Sequence, residues 1–143
     1  MNSLKKILII DDEKMNIIAL AHYLKPLYEI IVAADGSSGI EAAVKHIPDL
    51  ILLDIIMPDI SGYAVLEKLR EKKETGKIPV IFITGLNSIE EEEKGLLQGA
   101  VDYLVKPFNK TIVRKRVETQ LKLAEYEQTV EHLNKLLGSM NPI

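Results

Sequence analysis

Five polar residues sit where apolar runs end. Asp11 and Asp12 follow Lys-Ile-Leu-Ile-Ile, Asp54 follows Leu-Ile-Leu-Leu, Thr84 follows Val-Ile-Phe-Ile, and Lys106 follows Val-Asp-Tyr-Leu-Val. A run as apolar as Leu50 to Leu53 reads as a strand buried on both faces, the pattern of a parallel sheet covered by helices. A carboxylate is costly to bury without partners, so Asp54 belongs where its strand leaves the core and opens into a loop. Three carboxylates brought together repel one another and invite a hard divalent cation. Magnesium, which prefers oxygen ligands and keeps several waters, suits them, with manganese as the alternative. Beside such a cation, Asp54 remains an anionic nucleophile of the aspartyl-phosphate kind. Lys106 is a point charge suited to a phosphoryl oxygen or to the Asp54 carboxylate, and Thr84 offers a hydroxyl. Phosphoryl transfer needs mainly alignment and charge neutralisation, and these groups supply both.

The elements that must position these residues alternate along the chain. Lys5 to Ile10 reads as a strand. Residues 14–25 place Ile17, Leu20, Ala21 and Leu24 at helical spacing, and Pro26 ends that helix. Tyr28 to Ala34 is a second strand. Asp35-Gly36-Ser37-Ser38 is a turn with a capping residue, and Ile40 to His46 a second helix. Pro48 precedes the Asp54 strand, and Pro58 and Gly62 punctuate the loop after it. Tyr63, Leu66 and Leu69 mark a third helix with a solvated end at 70–77. Pro79 opens a fourth strand, Val80 to Ile83. Asn87 or Ser88 caps a helix whose first turn is acidic, Glu90 to Glu93, where the dipole favours negative charge, and Gly99 stops it. Val101 to Val105 is a fifth strand, and the chain is helical from Asn109 to about Leu137.

Five strand–helix alternations predict an α/β domain with a doubly wound, five-stranded parallel sheet and right-handed crossovers. Open parallel sheets bind ligands beyond the carboxyl ends of their strands, near the point where strand order reverses. Strand two ends on Ala33 and Ala34 and offers no polar group, as expected for an edge strand in the order 2-1-3-4-5. That order brings the five polar residues into one shallow pocket.

A chain of 143 residues, 47% hydrophobic and 27% charged, suits one domain with a real core. The formal net charge of -3 argues against nucleic acid or an anionic membrane as a main partner. With no cysteine, disulfide, thiol-nucleophile and zinc-thiolate chemistry are excluded. No apolar stretch reaches transmembrane length and no signal peptide is visible, so a cytoplasmic location is expected. His22, His46 and His132 are scattered without metal-ligand spacing.

Four stretches carry a resemblance to a known family. They are Ile-Leu-Ile-Ile-Asp-Asp-Glu at 7–13, Asp-Leu-Ile-Leu-Leu-Asp-Ile-Ile-Met-Pro-Asp-Ile-Ser-Gly at 49–62, Pro-Val-Ile-Phe-Ile-Thr-Gly at 79–85, and Gly-Ala-Val-Asp-Tyr-Leu-Val-Lys-Pro-Phe at 99–108. Over roughly residues 4–120 the chain resembles the receiver domain of two-component response regulators, which have the flavodoxin-like fold with the strand order given above. The resemblance implies that Asp54 is the phosphoacceptor. It implies magnesium held by Asp12, Asp54 and the backbone carbonyl of Ile56, with Asp11 acting mainly through water. Thr84 and Lys106 correspond to the phosphoryl-sensing pair, with Gly85 the small residue beside the site. Tyr103 corresponds to the switch aromatic that turns inward when Thr84 moves. Pro58, Gly62 and Pro107 match structural positions, and a cis Lys106–Pro107 bond is expected. The implied partner is a sensor histidine kinase or a phosphotransfer protein. Phosphate would then reshape the surface made by the helix after strand four, strand five and the last helix. Ile56 and Leu86 flank the route of the hydrolytic water in this family, and neither can orient water. Slow self-dephosphorylation, over minutes or longer, follows.

The last helix is too long for a receiver alone. Val113, Val117, Leu121 and Ala124 suit packing on the sheet, whereas Leu123, Tyr126, Val130, Leu133 and Leu137 repeat at spacings of three and four, a heptad seam. The chain therefore divides into a receiver at 1–120 and a helical extension at 121–143, expected to be a coiled-coil linker that pairs two chains as a homodimer, with an amphipathic helix folded back on its own domain as the alternative. The segment resembles the signalling helix that joins some receivers to a downstream enzymatic domain. Ending at Ile143, the chain reads as a stand-alone regulator or as a longer protein's receiver without its output domain. Two other readings compete. An aspartate-nucleophile phosphatase would carry a second Asp two residues after the nucleophile, where this chain has Ile56, so no turnover enzyme is expected. A phosphorylation-independent dimerisation module is opposed by the complete set of site residues.

Overall fold

The computed structural model describes residues 3–85 and 99–140. Leu86 and the helix expected from Asn87 or Ser88 lie outside the described residues.

Five strands form one sheet: β1 (Lys6–Ile10), β2 (Glu29–Ala33), β3 (Leu50–Asp54), β4 (Val80–Thr84) and β5 (Asp102–Val105). All neighbours are parallel and the order is β2-β1-β3-β4-β5, as expected. The described helices are α1 (Lys14–Leu24), α2 (Gly36–His46), α3 (Gly62–Glu71) and α4 (Lys110–Met140).

Alternation along the strands sorts the core into two layers. Leu8, Ile10, Ile51, Leu53, Val80 and Phe82 face α2 and α3, packing on Ala43, Val65, Leu66 and Leu69. Ile7, Ile9, Leu50, Leu52, Ile81 and Ile83 face α1 and α4, packing on Leu20, Leu24, Val113, Val117 and Leu121. Both faces are covered, so the central strands β3 and β4 carry no polar residue until they end, whereas β1, β2 and β5 begin on Lys6, Glu29 and Asp102.

Three local features depart from the sequence reading. α2 begins at Gly36 rather than Ile40, because the Asp35 carboxylate accepts the Ser38 N–H at 2.8 Å and caps the helix earlier. α3 ends at Glu71, and the stretch to 77 is a turn with one buried anchor, not wholly solvated. There the fully buried Thr75 donates its hydroxyl to the Leu69 carbonyl at 2.7 Å. α4 runs to Met140 rather than Leu137, opened by the Asn109 side chain accepting the Ile112 N–H at 3.0 Å.

Ile47 closes α2 in the left-handed region, with φ 43° and ψ 67°, its N–H still bonded to Ala43 O. A β-branched residue is poorly suited to that conformation. Ile47 is also exposed, so replacing it forfeits little burial. Ile47→Asn is expected to stabilise the protein by about 0.5–1 kcal/mol, read as a raised urea midpoint at unchanged slope. A lowered midpoint would mean that its side-chain contacts outweigh the backbone strain.

Candidate functional site

Strand register assembles the site. Ile10 lies beside Leu53, Asp54 beside Ile83 and Thr84 beside Val105, so the residues that end or follow β1, β3, β4 and β5 meet at one rim. Asp11, Asp12 and Asp54 each present an oxygen, and the three oxygens lie within 4.8 Å of one another. Asp12, Glu13, Asp54, Ile56, Thr84, Gly85 and Lys106 line a depression there. The side chain of Ile56 points to solvent at 80% exposure.

Asp11 is fully buried and fixed. Its Oδ1 accepts the Glu13 N–H at 2.8 Å and its Oδ2 accepts from the Asn16 side chain at 3.0 Å. Asp12 is exposed, and Asp54 is buried, its Oδ1 accepting the Ile56 N–H at a long 3.4 Å and its carboxyl beside that of Asp11. Lys106 Nζ stands 3.9 Å from Asp54 Oδ1 but only 3.3 Å from Glu13 Oε1, so in this state the lysine leans toward the glutamate. Its backbone N–H bonds to Thr84 O at 2.9 Å, which ties β5 to β4 at the rim. The Lys106–Pro107 peptide is cis.

The electrostatics follow from burial. Desolvation, reinforced by the neighbouring Asp11 and only partly offset by Lys106, pushes the Asp54 carboxyl up to about 7. Burial also raises Asp11, against its hydrogen bonds from Glu13 and Asn16. For Lys106, burial pulls the ammonium down, but Asp54 and Glu13 together hold it above its ordinary value. The pocket thus holds more negative charge than its lysine neutralises. An all-oxygen donor set with surplus negative charge fits a hard divalent cation. Asp11, Asp12 and Asp54 would hold it, with the Ile56 carbonyl nearby in the same loop.

Gly62 matters sterically. A Cβ there would lie 2.3 Å from the carbonyl oxygen of Asp54 and 2.8 Å from Ile55 Cα, and the Gly62 N–H bonds to Ile55 O at 2.7 Å. Pro58 stands in the same β3–α3 loop. Its neighbour Asp59, not singled out in the sequence, accepts the N–H groups of Gly36 and Ser37 at 3.0 Å each, tying the loop to the N-terminus of α2. Those bonds hold its carboxyl down at about 2. Only the turn pattern Met-Pro-Asp hinted at such a role. Glu13 was also missed, since pairing with Lys106 across 93 positions leaves no local signal.

Tyr103 is buried in β5. Its ring lies 6.2 Å from Phe82, which in turn meets Tyr63 of α3 edge-on at 5.3 Å. Arg116 donates to the Tyr103 carbonyl and so joins α4 to that strand.

The family model for the response regulator receiver domain matches residues 7–118. The chain belongs to that family. Its receiver is 41% identical over 115 residues to a probable cyclic di-GMP phosphodiesterase of Vibrio cholerae, covering 80% of this chain and 26% of that protein. It is 34% identical over 131 residues to the response regulator PleD of Caulobacter vibrioides, covering 91% of this chain and 28% of the relative. Thus the chain spans about a quarter of the length of these curated relatives. Among solved structures, the receiver superimposes on the chemotaxis protein CheY4 of Vibrio cholerae with a TM-score of 0.77 at 30% identity, covering 82% of this chain and 98% of that one. Among the described residues, no helix of the receiver is long and apolar enough to cross a membrane.

Proposed function

We propose that this receiver accepts a phosphoryl group on Asp54 from a sensor histidine kinase or a phosphotransfer protein, in a magnesium-dependent reaction. The observation that carries the proposal is the convergence of Asp11, Asp12 and Asp54 oxygens within 4.8 Å, with Lys106 Nζ 3.9 Å from the Asp54 carboxylate. In the step itself, an Asp54 carboxylate oxygen attacks phosphorus in line with the donor's leaving group. The P–O bond to Asp54 forms as the donor's P–N or P–O bond breaks, and the leaving group departs with the bonding electron pair. A bound magnesium ion supplies charge neutralisation for the phosphoryl oxygens. Lys106 moves from Glu13 to a phosphoryl oxygen, and the Thr84 hydroxyl donates to another. Tyr103, Thr84, β5 and α4 then present the altered surface, together with the stretch between β4 and β5. The receiver is a switch and not a turnover enzyme.

The receiver unit at 1–120 and the extension at 121–143 form part of this reading, with pairing of two chains through the exposed α4 stripe. So does a cytoplasmic location, where the kinase chemistry takes place. The greater length of the relatives supports an arrangement in which the receiver governs a further output domain.

Incubation with acetyl phosphate and magnesium, followed by intact mass, should show the gain of one phosphoryl group, and chelation by EDTA should prevent it. Uptake undiminished in EDTA would refute the metal dependence. After the donor is removed, the half-life should be minutes or longer, because the exposed Ile56 side chain can neither donate to nor orient a water. Loss within a few seconds would contradict that role for Ile56.

A further inference from the structure

The extension of α4 is held to its own receiver at the end of the sheet opposite the site. α4 leaves the apolar layer at Leu121, the last buried large side chain among its described residues. Beyond it, Ala124, Glu125, Gln128 and Glu131 line a cleft whose other wall is built by the segments that enter β1, β3 and β4, including Pro48 and Pro79. Lys5 Nζ lies 2.9 Å from Glu125 Oε1, just before β1, and Lys77 Nζ lies 3.0 Å from Glu131 Oε1, just before β4. At roughly 100° per residue, 121, 124, 125, 128 and 131 share one face of the helix. Leu123, Tyr126, Val130, Leu133 and Leu137 lie on the opposite face, and all five are exposed.

We propose that this rim of the sheet is a docking surface for the chain's own helix, with Lys5–Glu125 and Lys77–Glu131 as a two-point latch that fixes the helix direction and turns the apolar stripe away from the receiver. The two lysines stand on different strand entrances, and the two glutamates are six residues apart on one helix face, so both pairs close only at one helix angle. Four exposed side chains in high dielectric contribute little each, and salt weakens them further. The latch therefore sets direction more than stability, and it opens easily. Closed, it makes the helix a rigid continuation of the sheet. Open, the helix beyond Ala124 loses these two contacts with the rim and frays more readily, because α4 is continuous and has no hinge there. The proposal rests on these contacts and not on the phosphoryl chemistry.

The test is amide hydrogen exchange on the full chain, in a Leu133→Gln background that removes pairing through the stripe. Raising salt from about 0.05 M to about 0.5 M should speed exchange in 122–131 about two- to fivefold and leave 112–121 unchanged. Lys77→Glu should produce the same acceleration at low salt, and Lys77→Glu with Glu131→Lys should reverse it. Unchanged exchange at 112–121 also verifies that the variants fold. Exchange at 122–131 that ignores both salt and Lys77→Glu, or a double reversal that restores nothing, would overturn the latch. Light scattering on the parent protein reports chain pairing separately, so failure of pairing is not mistaken for failure of the latch.

Discussion

Gly62→Ala should cost about 2–4 kcal/mol of stability, a large effect for one methyl group. The added Cβ would sit 2.3 Å from the Asp54 carbonyl oxygen and 2.8 Å from Ile55 Cα. Both are backbone atoms at the end of β3, hydrogen-bonded into the sheet, so neither can rotate away as a side chain would. The N-terminus of α3 must retreat instead, which stretches the Gly62 N–H to Ile55 O bond and shifts the peptide that carries Asp54. Gly85→Ala is the control, because among the described residues nothing lies within 4 Å of a Cβ built there. Its urea midpoint should match wild type within error, while that of Gly62→Ala should fall. Equal midpoints for all three proteins would show that the loop yields and that the steric account is wrong.

Asp54→Asn should stabilise the metal-free protein in alkaline buffer. The Asp54 carboxyl is raised from its ordinary 3.8 to about 7 in the fold, chiefly by burial and then by Asp11. The folded protein therefore binds the proton more tightly than the unfolded chain does. Its contribution to stability is fully present below pH about 4 and is lost as pH rises through about 7. Above that, the fold holds an ionised, buried carboxylate beside a second one. Replacing it with the neutral amide should raise stability by about 1–3 kcal/mol at alkaline pH in EDTA, and the gain should shrink toward zero near pH 4. Added magnesium should stabilise wild type and narrow the gap. Thermal unfolding at several pH values reads all of this. A difference between the two proteins that does not vary with pH would show that Asp54 titrates in the fold as it does in the open chain.

What the sequence revealed and what it hid have a common physical basis. The strands were legible because burial on both faces leaves continuous apolar runs such as Leu50 to Leu53, and the sheet order followed from which runs end on polar groups. The convergence of Asp11, Asp12, Asp54, Thr84 and Lys106 was legible for the same reason, since each stands at a strand's carboxyl end. The start of α2 was less visible. Gly36 reads as a turn residue, yet it is helical, as is Gly39, and a Cβ at Gly36 would meet Ile60 at 2.4 Å and one at Gly39 would meet Ile10 at 2.6 Å. Those contacts are set by partners distant in sequence. The same holds for Asp59 accepting from the first turn of α2 and for Glu13 reaching Lys106. The spacing of Leu123, Tyr126, Val130, Leu133 and Leu137 announced an apolar face. It could not announce that Glu125 and Glu131 would find lysines at the strand entrances.

The measurement that bears most directly on the central claim is phosphoryl mapping. Wild type and Asp54→Ala would be treated with acetyl phosphate and magnesium, and the adduct located by intact mass and by peptide fragmentation after borohydride trapping. We expect one phosphoryl group in wild type, located at Asp54, and none in Asp54→Ala. Equal labelling of both proteins, or an adduct on another residue, would contradict the assignment of Asp54 as the acceptor.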